Sequence, residues 1–160
     1  MFVDTAKVEL HAGKGGNGAV SFRHEIYIPK GGPDGGDGGR GGSIIFRADK
    51  DTNTLLDFRF VPILRAEDGK NGSGTRSAGR SGKDLIVEVP IGTVVYNEEH
   101  KMLADLTHDG QEAVIAKGGD GGFGNAHFKS STRQTPVVAE WGEPGEEFIA
   151  ELELKLLADV

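Results

Sequence analysis

Lysines flanked by glycine are the first residues in this chain whose types and spacing could do chemistry. Gly13-Lys-Gly-Gly-Asn-Gly18 fits the G-x-G-x-x-G spacing that lets backbone amides approach a dinucleotide's pyrophosphate. That chemistry also requires a helix to follow and an acidic residue about twenty positions on. Instead, Ala19 to Ile28 leads into Pro29 and more glycine, and Gly36-x-Gly38-x-x-Gly41 and Gly119-x-Gly121-x-x-Gly124 fit the same spacing. A pattern that recurs wherever glycine repeats does not identify a nucleotide site. Gly82-Lys83 is the nearest approach to a phosphate loop, but Ser77 stands where its first glycine should be and Asp84 where a magnesium-binding hydroxyl belongs. No GTP or ATP hydrolysis is expected from this chain by itself.

The histidines, His11, His24, His100, His108 and His127, are scattered without a pair at ligand spacing, so no metal site is expected. Asp34, Asp37 and Asp120 recur at equivalent places among the glycines and read as solvated, turn-directing side chains. Nothing nominates a catalytic pair. What remains are basic residues set among glycine: Lys14, Arg23, Lys30, Arg40, Arg76, Arg80 and Lys83. Such residues contact phosphates, and exposed glycine backbone adds amide donors without steric bulk. Phe22, Tyr27, Phe123 and Phe128 could stack on splayed bases. Phe22, Tyr27 and Phe128 read better as plugs packing the glycine segments onto the rest of the fold, whereas Phe123, inside a glycine triplet, is the candidate for exposure. Trp141, followed by Gly-Glu-Pro-Gly, reads as a packed anchor beside a turn.

Charge sharpens this picture. The formal net charge is −7, which argues against a nucleic-acid partner until its distribution is considered. Lys14, Arg23, Lys30 and Arg40 against Glu25, Asp34 and Asp37 leave residues 13–42 at net +1. Arg65, Lys70, Arg76, Arg80 and Lys83 against Glu67 and Asp68 leave 65–83 at +3, and Lys117, Lys129 and Arg133 against Asp120 leave 117–133 at +2. The remainder therefore carries −13. Segments projecting from one side would give an acidic body a mildly basic working end.

The elements that must hold these residues are short strands. Phe2, Ala6, Val8 and Leu10 share one parity within residues 2–11, the pattern of a strand with one buried face. Similar strands are expected at 43–48, 55–60, 85–89, 93–96 and 112–116. Another near 148–156 points Phe148, Ala150, Leu152, Leu154 and Leu156 inward, with a helix over 146–158 as the alternative. Many short strands between turns predict an all-β barrel or sandwich. A single domain fits the 160-residue length. The absence of cysteine and of any 18-residue apolar run points to an intracellular protein with no membrane span.

Between the strands, glycine occupies 26 positions. Residues 31–42 read in threes as Gly-Gly-Pro, Asp-Gly-Gly, Asp-Gly-Gly, Arg-Gly-Gly, which places Gly32, Gly35, Gly38 and Gly41 in one register. Gly118, Gly121 and Gly124 repeat the spacing. Composition alone favours disorder, but a period of three matches left-handed polyproline II, in which a glycine column would let neighbouring segments exchange backbone hydrogen bonds. Ordering glycine costs roughly 1–2 kcal/mol per residue, which a repeated lateral bonding pattern must offset.

The run from Phe22 to Gly42 strongly resembles the glycine-rich N-terminal domain of the Obg (CgtA) family of bacterial GTPases. So do Met1-Phe-Val-Asp4, Pro90-Ile-Gly-Thr93, Ala104-Asp-Leu106 with Gly110-Gln111, Ala116-Lys-Gly-Gly119, Gly124-Asn125 with Phe128, and Leu154-Lys-Leu-Leu-Ala-Asp-Val160. The resemblance implies an Obg fold over residues 1–157, a small β-barrel carrying a bundle of glycine-rich left-handed polyproline-II-type helices. Residues 158–160 would begin the linker to a GTPase domain absent from this chain, covalently continuous with it in the parent protein. That domain would bind GTP and GDP with Mg²⁺ and hydrolyse GTP slowly. The resemblance further implies docking on the large ribosomal subunit and its rRNA during late assembly, a link to stress or growth control, stress-response regulators as partners, a cytoplasmic location and a monomeric state. The RNA-contact candidates become Lys14, Arg23, His24, Lys30, Arg40, Arg76, Arg80, Lys83, Phe123 and Lys129. Relatives commonly carry Arg-Arg-Glu-Lys where this chain has Arg23-His-Glu-Ile26, so contact at His24 and Ile26 is expected to be weaker or more pH-sensitive. A scaffold that binds stress-signalling proteins through the glycine segments is the alternative function.

Overall fold

A computed structural model of the chain describes residues 2–23, 31–128 and 138–155. The alternation in residues 2–11 produces β1 (Phe2–His11), which buries Ala6, Val8 and Leu10. It pairs antiparallel with β8 (Glu147–Lys155), whose Ala150, Leu152 and Leu154 point to the same core. The helical alternative at this end is therefore excluded. The other strands are β2 (Ile44–Asp49), β3 (Ile63–Arg65), β4 (Leu85–Pro90), β5 (Thr93–Tyr96), β6 (Met102–Leu106) and β7 (Glu112–Ala116).

The expected all-β barrel with a helix bundle does not form. The strands make two open sheets, ordered β3-β1-β8-β5-β6 and β4-β2-β7, and neither closes on itself. Both sheets are mixed, because β1 pairs with β3 and β2 with β4 in parallel while the remaining pairs are antiparallel. Two faces of a sandwich-like core need no closure when each covers the other. Phe46, Ile44 and Ala48 from β2, Val89 from β4, and Ile115 and Ala116 from β7 pack with Val8 and Leu10 of β1 and Leu152 of β8. Burying each large apolar side chain stabilises the fold by about 1.5–3 kcal/mol.

Residues 55–60, expected as a strand, instead contain a four-residue helix, α1 (Asp57–Phe60). Its cause is local. The Asp4 carboxylate accepts from the Leu55 amide at 2.7 Å and the Thr54 hydroxyl at 2.9 Å, and lies 3.4 Å from Arg59, turning the chain at the start of β1. Leu55 and Phe58 then enter the core, with Phe58 stacked at 6.4 Å on Phe46. The brief β3 and the half-exposed β6 present too little alternation to be read from sequence. Between β4 and β5, Gly92 takes φ +94°, a turn conformation costly to any residue with a Cβ.

The glycine segments are ordered by bonds between segments rather than within them, so they form a laced array and not a helix bundle. Three segments, 13–19, 36–42 and 119–125, join in rungs spaced by three residues. In the first, the Gly13 amide donates to Gly42 O at 2.8 Å, Gly119 to Gly13 O at 2.9 Å and Gly41 to Gly119 O at 2.9 Å. The second repeats the pattern as Gly16 to Gly39 O, Gly122 to Gly16 O and Gly38 to Gly122 O. The third begins the same way, with Ala19 donating to Gly36 O and Asn125 to Ala19 O. Here the Gly35 amide donates instead to the Asn125 side-chain carbonyl, Oδ1, at 2.7 Å.

Flanking segments follow the same period. Gly42, Gly39 and Gly36 donate to the carbonyls of Glu67, Lys70 and Ser73, while Gly82 and Gly79 donate to those of Arg40 and Asp37. Gly15 and Gly18 donate to Glu143 and Glu140 on the other side. Close approach is what excludes larger residues here: a Cβ on Gly38 would overlap the Gly16 carbonyl oxygen. Buried backbone polar groups are thereby satisfied without regular secondary structure.

Candidate nucleic-acid interface

The rungs give the array a proximal end at Gly13, Gly42 and Gly119, beside the sheets, and a distal end at Ala19, Gly36 and Asn125. Asn125 is fully buried and ties the distal end together. Its Oδ1 accepts from the Gly35 amide, and its Nδ2 donates to Ser21 O at 3.0 Å. From Asn125 the chain enters a 3-10 turn, Asn125–Phe128, which presents His127 to solvent.

A charged and aromatic cluster follows. Asp37 accepts from the Gly124 amide at 2.8 Å through Oδ1 and lies 2.9 Å from His127 Nε2 through Oδ2. A carboxylate is an acceptor, so this contact assigns a proton to Nε2 and fixes the ring's orientation. Phe123 stacks on that ring with centroids 4.3 Å apart and planes 19° apart, yet remains 47% exposed. Gly35, Gly36, Asp37, Arg76, Ala78 and His127 contribute to a recess of about 220 Å³.

Arg76 reaches this recess from a tight turn. Ser77 donates to Gly74 O at 3.2 Å across the turn, and both central residues are left-handed, Thr75 at φ 58° and Arg76 at φ 56°. Paired positive φ values are usually supplied by Asn-Gly, and each non-glycine residue there costs about 1–2 kcal/mol. The Arg76 amide also donates to the Asp34 carbonyl, which helps hold the conformation. Its side chain is exposed and has no ion pair among the described residues.

The ten RNA-contact candidates do not form one cluster. Lys14 and Lys83 sit at the proximal end, Arg80 is at the level of the middle rung, and Arg40 lies 3.9 Å from Asp84. Arg23 is exposed, its amide bonded to Gly32 O. His24, Lys30 and Lys129, like Tyr27, fall outside the described residues. Arg76 and Phe123 are the candidates associated with the distal cluster.

His127 and Asp37 were not distinguished by sequence. They are ninety residues apart, and only the pairing of segment 36–42 with 119–125 brings them together. Asp37 anchors this contact rather than acting as a merely solvated turn residue, and Asp34 is buried with its Oδ1 unpartnered. Trp141 also departs from expectation: it is 79% exposed rather than packed. With Val20, Val138, Gly18 and Asn17 it lines a shallow recess of about 390 Å³ on another side of the array.

The structure offers no phosphate loop at Gly82-Lys83. Residues 77–83 run as a laced segment directly towards β4, whereas a phosphate loop must lead from a strand into a helix. Among the described residues no group of three or more His, Cys, Asp or Glu is placed to hold a metal ion. No helix among them is long and apolar enough to cross a membrane.

The GTP1/OBG family model matches residues 3–156. The chain belongs to this family. GTPase Obg of Persephonella marina is 57% identical over 160 residues, covering 99% of this chain and 47% of that protein. GTPase Obg of Acetivibrio thermocellus is 58% identical over 161 residues, covering 100% of this chain and 38% of its own length. GTPase Obg of Chlorobaculum tepidum is 56% identical over 160 residues, with 99% and 48% covered. The chain thus spans less than half the length of these Obg relatives.

Proposed function

We propose that this chain is the RNA-docking module of an Obg-type GTPase that engages the large ribosomal subunit during late assembly and in stress or growth control. The observation that carries this reading is the distal end: the Arg76 guanidinium, without an ion pair among the described residues, and the exposed Phe123 ring stand on segments almost devoid of side-chain bulk. Cations contact phosphates, aromatics stack on unpaired bases, and a thin backbone array enters spaces that a helix about 10–12 Å wide cannot. Family membership supports this assignment.

GTP binding with Mg²⁺ and slow hydrolysis belong, in this reading, to a domain in the part of the relatives' length beyond this chain. Residues 1–157 act as the docking domain of a monomeric, cytoplasmic protein. The decisive experiment replaces Arg76, Arg80 and Lys83 together and measures binding to large subunits across a salt series. Weaker binding is expected, with a log–log salt slope shallower by roughly 0.7–0.9 for each lost phosphate contact. Unchanged affinity and slope would refute RNA docking through these residues.

A second reading, a scaffold for stress-signalling proteins, draws support from the exposed Trp141 beside Val20 and Val138. It predicts that Trp141→Ala weakens partner binding with little salt dependence.

A further inference from the structure

We infer that the recess beside Trp141 receives an arginine of an extended, basic protein segment, its guanidinium stacked on the indole and paired with Glu140. This recess shares no lining residue with the one at Arg76, so the inference neither needs nor excludes RNA docking. It differs from the scaffold reading in requiring charge as well as apolar contact. Trp141 and Glu140 line the same recess of about 390 Å³, with Val20 and Val138 in its walls. The indole is 79% exposed, and a large exposed ring rimmed by polar groups marks a contact surface. Its backbone is held on both sides: the Glu140 amide donates to Phe123 O, the Gly18 amide to Glu140 O and the Gly142 amide to Asn17 Oδ1, each at 2.9 Å. Little order is left to impose when a partner stacks on the ring.

Charge decides the occupant. Residues 138–147 carry Glu140, Glu143, Glu146 and Glu147 and no basic residue. The segments laced to them, 12–20 and 117–123, add Lys14, Lys117 and Asp120, which leaves this side at net −3. Such a field repels phosphates and attracts cations. Glu140 and Glu143 are exposed and have no ion pair among the described residues. The Glu140 carboxylate is already oriented, because its Oε1 accepts from the Phe123 amide at 3.0 Å, and Oε2 remains for a donor. Arginine fits better than lysine: its planar guanidinium stacks on an indole face and pairs with a carboxylate, while its methylene stem covers the apolar wall. The Glu140 and Glu143 amides both donate to segment 117–123, and their three-residue separation sets them about 9 Å apart along an extended chain. Three residues of an extended partner span about 10 Å, so a second basic side chain three positions on faces Glu143.

The 160-residue chain contains one tryptophan, so its intrinsic fluorescence reports on this recess directly. The probes are a short Gly/Ser peptide with two arginines three positions apart, the same peptide with leucines in their place, and a single-stranded RNA hexanucleotide, each also followed by the anisotropy of an attached dye. The arginine peptide should change the fluorescence saturably and bind more weakly as salt rises. Trp141→Ala should weaken it roughly 2–30-fold, and Trp141→Phe should retain part of the affinity. Glu140→Gln, which keeps an acceptor for the Phe123 amide, should weaken it by up to about fivefold. Neither Trp141→Ala nor Glu140→Gln should lower the thermal midpoint, which separates lost contact from lost folding. No saturable binding of the arginine peptide at millimolar concentration, or unchanged affinity in both Trp141→Ala and Glu140→Gln, overturns the inference; RNA docking is tested separately on subunits through Arg76, Arg80 and Lys83. If the leucine peptide binds as tightly, the contact is apolar, the scaffold reading takes this surface and the basic partner is overturned. If the hexanucleotide binds at Trp141 and displaces the arginine peptide, RNA is the occupant and the assignment to a protein segment falls.

Discussion

Gly38→Ala is the sharpest test of the laced array, because it adds one methyl group at a place with no flexible neighbour to yield. The new Cβ would overlap the Gly16 carbonyl oxygen and crowd the Asn17 amide, both backbone groups. Relief requires the facing segments to separate. Separation strains the bonds from Gly16 to Gly39 O at 2.8 Å, from the residue 38 amide to Gly122 O at 2.9 Å, and from Gly122 to Gly16 O at 2.9 Å. Three hydrogen bonds contribute about 3 kcal/mol together, and residual overpacking about 1–3 kcal/mol. A loss near 4–6 kcal/mol is therefore expected, large against the roughly 5–15 kcal/mol stability of a domain. Gly110→Ala is the control: its Cβ meets nothing within 4 Å, and only φ +81° opposes it, at about 1–2 kcal/mol. Urea unfolding and amide exchange at residues 16, 38 and 122 would measure the difference. Equal losses in the two variants, with those three amides still protected in Gly38→Ala, would refute the close-approach explanation.

Two further changes probe other parts of the fold. Asn125→Ala should lower stability by about 1–3 kcal/mol by leaving the Gly35 amide without its acceptor, visible as faster exchange at Gly35 and a lower thermal midpoint. The His11 pKa is raised above 6.5 by its hydrogen bond to Glu9 and by Glu147, with partial burial and Arg65 opposing. Its contribution to stability should be complete below pH 6.5 and disappear as pH rises through the folded-state value; Glu9→Gln should reduce that dependence and lower the value in an NMR titration.

The sequence revealed elements whose determinants are local and periodic. Alternation identified both β1 and β8, down to Ala6, Val8, Leu10, Ala150, Leu152 and Leu154 facing the core. It could not reveal sheet closure, which depends on whether β3 and β6 meet as edges. Nor could it distinguish a strand at 55–60 from α1, because Asp4 decides that turn from about fifty residues away. Triplet glycine correctly signalled lateral amide bonding, but the bonding forms an array rather than a helix bundle. The distal cluster was half-legible: Arg76 and Phe123 stand out as residue types among glycine, whereas Asp37 and His127 acquire their relation only through the register of two segments.

The rung spacing also gives this array a unit of length. Deleting one residue from a segment shifts every later glycine out of line with its carbonyl partner, whereas deleting three restores alignment one rung along. A matched triplet removed from every laced segment would shorten the reach by at most about 10 Å while keeping the remaining bonds intact. The distal end therefore behaves as a detachable head on a ruler graduated in threes, and Asn125, whose side chain substitutes for a backbone acceptor, marks where the graduations stop.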